Sequence, residues 1–134
     1  MYLIDTNIFL EVMLAQARSE ECEVLLNKIK NEEIKVAITD FSIYSIMIIL
    51  SNYNLINGLK TFLLSLSSYK GIKIYRSKIS DLLKALEFVE KKKLDIDDAI
   101  QYSAAKSLNV KGIISFDKHF DNLEIPRIEP NQLK

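Results

Sequence analysis

Leu94-Asp95-Ile96-Asp97-Asp98-Ala99 opens a run of small and apolar residues to Leu108, and Gly112-Ile113-Ile114-Ser115-Phe116-Asp117 follows almost at once. The first block reads as the acid-rich start of a helix. Ile96, Ala99, Ile100, Ser103, Ala104 and Leu108 recur at helical spacing and predict a helix over 96–108. Residues 112–115 are a short apolar run, as expected of a strand covered on both faces, and Asp117 stands two residues past it.

The same alternation extends in both directions. Strands are predicted at 2–4, 36–38, 72–75 and 112–115, with a weak fifth at 125–128 beside Pro126. Helices are predicted at 7–15, 20–30, 40–50, 57–66, 79–92 and 96–108. Ser19 before Glu20 and Glu21, and Thr39 before Asp40 with Ser42 three positions on, are expected N-caps. Short strands alternating with longer helices predict an α/β fold of three layers: a central parallel sheet of four to five strands with helices on both faces.

The sequence has 134 residues, which fits a single domain spanning 1–134, with no linker or repeat inside it. Hydrophobic residues at 49% and charged residues at 27% lie near the globular average, which excludes a disordered or fibrous chain. Eighteen acids balance eighteen bases, so nucleic acid is not held by bulk positive charge, and any such contact must be local. Cys22 is the sole cysteine and reads as an ordinary helix residue. No leader pattern opens the sequence and the apolar run 46–50 is too short to span a bilayer, so the expected location is a reducing cytoplasm, away from the membrane.

In open parallel sheets, ligands bind beyond the carboxyl ends of the strands. The acids fall there. Asp5 follows the first predicted strand, Asp40 the second and Asp117 the fourth, while Asp95, Asp97 and Asp98 open the helix leading into that fourth strand. Each also has a structural use, as a cap or first-turn acid. Together they would repel by about 4 kcal/mol per pair at about 4 Å and an effective dielectric near 20. A hard divalent cation, Mg²⁺ or Mn²⁺, offsets that repulsion, and the Cys and His clusters suited to zinc are absent from the sequence. Phosphodiester hydrolysis is chemistry such an ion supports.

Three blocks carry a resemblance: Tyr2-Leu3-Ile4-Asp5-Thr6-Asn7, Leu94-Asp95-Ile96-Asp97-Asp98-Ala99, and Ile113-Ile114-Ser115-Phe116-Asp117-Lys118-His119-Phe120. With these, nearly the whole chain resembles PIN domains, and among them the VapC-like toxins of archaea and bacteria. The resemblance implies a metal-dependent endoribonuclease, often dimeric and often restrained by a small antitoxin protein. It implies Asp5, Asp98 and Asp117 as catalytic metal ligands, supported by Thr6, Asn7 and Ser115.

Two positions depart from the family pattern. Ser45 stands where the family usually has a Glu, and His119 where it commonly has a second acid after the last aspartate. Asp40 and Glu11 are the acids considered as replacements, Ser45 reads equally as a support for the ligands or a core hydroxyl, and His119 as a proton-transfer or phosphate-contacting auxiliary or a surface residue. The apolar stripe of the 96–108 helix places Asp97 nearer its margin than Asp98, whereas alignment to the family favours Asp98, so both stay candidates.

Lys91–Lys93 and Lys118 offer a basic rim for RNA phosphates. Phe41, Tyr44 and Ile48, or Phe62, Leu63 and Leu66, serve a homodimer, an antitoxin or the core equally well. The competing function is a degenerate PIN scaffold that binds RNA or protein without cutting. A receiver-like or dehalogenase-like phosphotransfer domain shares the alternation, but Asp5-Thr6-Asn7 lacks the second aspartate of the dehalogenase loop and no convincing receiver lysine follows a late strand.

Overall fold

The computed structural model describes residues 1–133. Five parallel strands, β1 (Tyr2–Ile4), β2 (Val36–Thr39), β3 (Ile72–Tyr75), β4 (Ile113–Ile114) and β5 (Arg127–Ile128), form one sheet in the order β3-β2-β1-β4-β5. Six helices connect them: α1 (Thr6–Met13), α2 (Ser19–Lys30), α3 (Asp40–Asn52), α4 (Ile56–Ser68), α5 (Ile79–Lys92) and α6 (Ile96–Leu108). The weak fifth strand is present, shortened to two residues.

Strand side chains alternate between two cores. Ile4, Val36, Ile38 and Ile114 join Ile8, Leu25, Ile46 and Phe62 of the first four helices. Leu3, Ala37 and Ile113 join Ala85, Ala99 and Tyr102 from α5 and α6 on the opposite face. The edge-to-face ring pairs Phe9–Phe62, at 5.3 Å, and Phe88–Tyr102, at 5.0 Å, lie one in each layer. Small residues along α6 let it sit close to the sheet, which matters because that helix carries Asp98 at its start.

Helix starts follow local chemistry in one case and not in another. The Thr39 side chain accepts from the Ser42 N–H at 3.0 Å, as expected of the cap of α3. Ser19 is instead the first residue of α2, preceded by Arg18 with no side-chain cap. Arg18 is held by Glu21 and by Glu129, which tie the entry of α2 to the chain's last segment.

Chain order runs outward from β1 to β3 on one side and from β4 to β5 on the other. The order therefore reverses between β1 and β4, and the crevice beyond their carboxyl ends is the place where such sheets bind ligands. Asp5 leaves β1 at that point, its N–H donating to the Ile114 carbonyl at 3.0 Å. Asp117 lies just past β4.

Candidate metal centre

Asp5 occupies the N-cap position of α1 yet makes no side-chain cap hydrogen bond, so its carboxylate is free to face the crevice. It is 8% exposed. The Ser115 hydroxyl donates to Asp5 Oδ2 at 2.6 Å and accepts from the Asp117 N–H at 2.9 Å, linking the ends of β1 and β4 through one side chain. Gln101 Nε2 lies 3.5 Å from Asp5 Oδ1.

Gln101 anchors a buried polar layer beneath the site. Its Nε2 donates to Ser42 Oγ at 2.6 Å, and its Oε1 accepts from Thr39 Oγ1 at 2.8 Å. The Thr6 hydroxyl donates to the same Ser42 oxygen at 2.9 Å. Thus Thr6 reaches the site through Ser42 and Gln101. Sequence reasoning passed over Gln101, although a polar residue three positions after Asp98 shares its helical face.

A cleft of about 190 Å³ is lined by Asp5, Thr6, Asn7, Asp98, Gln101 and Asp117. Ser45 and Asp97 also line it. The structure therefore brings the three expected aspartates together. Asp98 is buried and Asp97 exposed, because α6 buries a wider face than one stripe, including Asp98, Gln101 and Tyr102, while Ile96 is 52% exposed. Asp40 lies outside the cleft, its Oδ1 accepting from the Phe41 N–H at 2.9 Å. Glu11 likewise turns away and accepts from the Arg18 N–H.

Charge accumulates here at a cost. Burial, with Asp117 and Asp97 nearby, pushes the Asp98 carboxyl up to about 6. Burial, partly offset by the Ser115 hydrogen bond, raises Asp5 as well, with Asp117 adding to the rise. His119 lies on the 3₁₀ turn Lys118–Phe120, for which Asp117 is the cap, accepting from the His119 N–H at 2.9 Å. Its Nδ1 sits 3.1 Å from Asp98 Oδ2 and 3.2 Å from Asp117 Oδ1. The hydrogen bond to Asp98 is the main cause of a raised His119 pKa.

Carboxylate oxygens that are buried, mutually repelling and hydrogen-bonded in place suit a hard divalent cation, so the residues present fit one. A second and larger cavity, about 320 Å³, lies away from these acids among α1 to α4, where Phe9, Leu26, Leu50, Phe62, Leu66 and Tyr69 line it. It is apolar and carries no comparable chemistry.

Comparison with solved structures finds the same fold in proteins of low sequence identity. VapC20 of Mycobacterium tuberculosis, described as a Sarcin-Ricin loop cleaving toxin, has a TM-score of 0.81 at 12% identity, over 97% of this chain and 100% of that one. A toxin-antitoxin complex from Klebsiella pneumoniae gives 0.74 at 18% identity, over 97% and 98%. VapBC2 from Rickettsia felis, bound to a promoter DNA fragment, gives 0.70 at 16% identity, over 96% and 97%. No curated protein matches the sequence. The PIN domain profile matches residues 2–126, nearly the whole chain, and the protein therefore belongs to the PIN domain family.

Proposed function

We propose that this PIN domain is a metal-dependent endoribonuclease, the toxin of a toxin–antitoxin pair, acting in the cytoplasm with Mg²⁺ or Mn²⁺. The observation that carries the reading is the convergence of Asp5, Asp98 and Asp117 on one cleft at the sheet's switch point. Two of these carboxyls are buried and raised in pKa, a cost that a bound cation removes.

In this reading Asp5, Asp98 and Asp117 hold the ion, which when bound neutralises phosphate charge and lowers the pKa of water. Ser115 fixes one oxygen of Asp5 and the backbone of Asp117, so that these two ligands move as a unit. Thr6, Gln101 and Ser42 hold the floor of the cleft, and Asn7 stands exposed at its edge. Ser45 adds a hydroxyl in place of the acid usual in the family. The exposed Lys91–Lys93 and Lys118 provide phosphate contacts for the RNA. The apolar cavity among α1 to α4 suits an apolar segment of an antitoxin, and a homodimer covers the exposed apolar side chains of α5 and α6.

Purified protein is expected to cleave RNA in Mn²⁺ or Mg²⁺, to lose activity in EDTA, and to lose it at least about a hundredfold on Asp5→Asn. Gel analysis of labelled RNA measures this. Undiminished cleavage by Asp5→Asn, or cleavage in EDTA, refutes the mechanism. A non-cleaving scaffold is the second reading, favoured by Ser45 at the cleft. Calorimetric titration with Mn²⁺ separates the two, since the scaffold predicts no binding.

A further inference from the structure

We infer that His119 supplies a nitrogen ligand to the ion held by Asp98 and Asp117, and that it biases this centre toward divalent transition metals such as Mn²⁺ and Co²⁺ against Mg²⁺. The inference rests on the metal centre proposed above and specifies one of its ligands.

The geometry begins with Asp117, whose Oδ1 caps the turn that carries His119. That turn folds the imidazole back over two carboxylates from different elements, with Nδ1 at 3.1 Å from Asp98 Oδ2 and 3.2 Å from Asp117 Oδ1. Neighbouring ligands on an octahedral ion, each about 2.1 Å from it, are separated by about 3.0 Å. Both spacings from the imidazole therefore match that of neighbouring ligands on one ion. Asp95, exposed at the start of α6 and without a side-chain cap bond, offers a further oxygen within 4.8 Å of the Asp98 and His119 ligand atoms.

A simple ion pair explains the position less well. The His119 side chain is 64% exposed, where a pair with a carboxylate contributes little, and a single pair does not need contact with two carboxylates. Ligand chemistry then gives the metal preference. Mg²⁺ takes oxygen donors and gives up water reluctantly, whereas imidazole nitrogen favours transition ions, increasingly along the series from Mn²⁺. A neutral nitrogen in place of a carboxylate also reduces the negative charge on which Mg²⁺ binding depends.

Calorimetric titration of the wild-type chain, His119→Ala and His119→Asp with Mn²⁺ and with Mg²⁺ tests this, together with nitrogen modulation in the electron spin echo of the Mn²⁺-loaded proteins. Because His119 is exposed, both variants are expected to keep the wild-type melting temperature and circular dichroism. His119→Ala should weaken Mn²⁺ binding about tenfold or more, change Mg²⁺ binding much less, and remove the nitrogen signal. His119→Asp should strengthen Mg²⁺ binding and narrow the preference. Equal or tighter Mn²⁺ binding by His119→Ala, or a wild-type Mn²⁺ complex without nitrogen modulation, overturns the ligand while leaving the three-aspartate centre standing. Absence of binding by the wild-type chain to either ion overturns both.

Discussion

At the scale of single residues, the aspartates of the cleft work against the fold that holds them. Asp98 is raised from 3.8 to about 6, chiefly by burial, so the folded chain binds that proton more tightly than the unfolded chain does. Protonation therefore stabilises. The contribution is most favourable below the unfolded pKa and is lost as pH rises from about 4 through about 6, a loss of at most about 3 kcal/mol at 1.36 kcal/mol per pH unit. Asp5 is shifted in the same direction by the same cause. Carboxylates held low, such as Asp81 with its hydrogen bonds from Lys78 and Tyr75, act in the opposite sense, so the pH profile of the whole chain blurs the effect. Comparison with Asp98→Asn isolates it. In metal-free buffer that variant should be more stable than the wild type by about 1–3 kcal/mol at pH 7.5 and nearly equal to it at pH 4, as read by urea denaturation. A variant less stable at pH 7.5 contradicts the assignment. Stability gained by deleting a carboxylate is the pattern expected where a site is kept for function.

At the scale of elements, the site depends on a tie among β2, α3 and α6 that runs through Gln101. Replacement by leucine keeps the bulk but removes the acceptor of Thr39 Oγ1 and a donor to Ser42 Oγ, both buried. Gln101→Leu is expected to cost about 1–3 kcal/mol in urea denaturation and to weaken Mn²⁺ binding, since Asp5 loses a neighbour that holds it. Unchanged stability and unchanged Mn²⁺ binding would show the network to be incidental. The elements themselves were legible because their signals are local: a short apolar run marks β4, helical spacing marks α6, and the predicted spans of α5 and α6 coincide with those observed. Asp5 and Asp117 were legible because they follow strand ends, which a parallel sheet aligns on one edge, and Asp98 because it opens the helix that leads into β4. Gln101 was not, because its partners stand 59, 62 and 96 positions away and leave no periodic trace. The choice between Asp97 and Asp98 was open for a related reason. A one-stripe reading of α6 assumes one buried face, whereas that helix packs against α5, the sheet and the cleft together.

At the scale of the whole molecule, the formal net charge is zero, so no long-range repulsion keeps two copies apart. One face is also markedly apolar. Ile79 is 74% exposed, Leu83 61%, Leu86 52% and Ile96 52%, and these side chains surround a shallow hollow completed by Leu82 and Ile100 on α5 and α6. Tyr44 and Ile48 extend exposed apolar surface onto α3, whereas of the second candidate set Phe62 and Leu66 are buried against the apolar cavity among α1 to α4 and only Leu63, at 37%, is exposed. Contiguous apolar surface of this kind marks an association site in a chain that is otherwise well packed. A second copy is the simplest occupant, and a two-fold interface uses each residue twice. Leu83 is 61% exposed, so burying it contributes about 1–2 kcal/mol, and losing it from both sides weakens association by about 2–4 kcal/mol, at least about thirtyfold in the dissociation constant. The wild-type chain should therefore sediment as a dimer at micromolar concentration, and Leu83→Glu as a monomer with unchanged circular dichroism, because an exposed side chain contributes little to the core. A wild-type chain that stays monomeric to about 100 micromolar rules out the self-association and leaves the α5 and α6 face to a different protein.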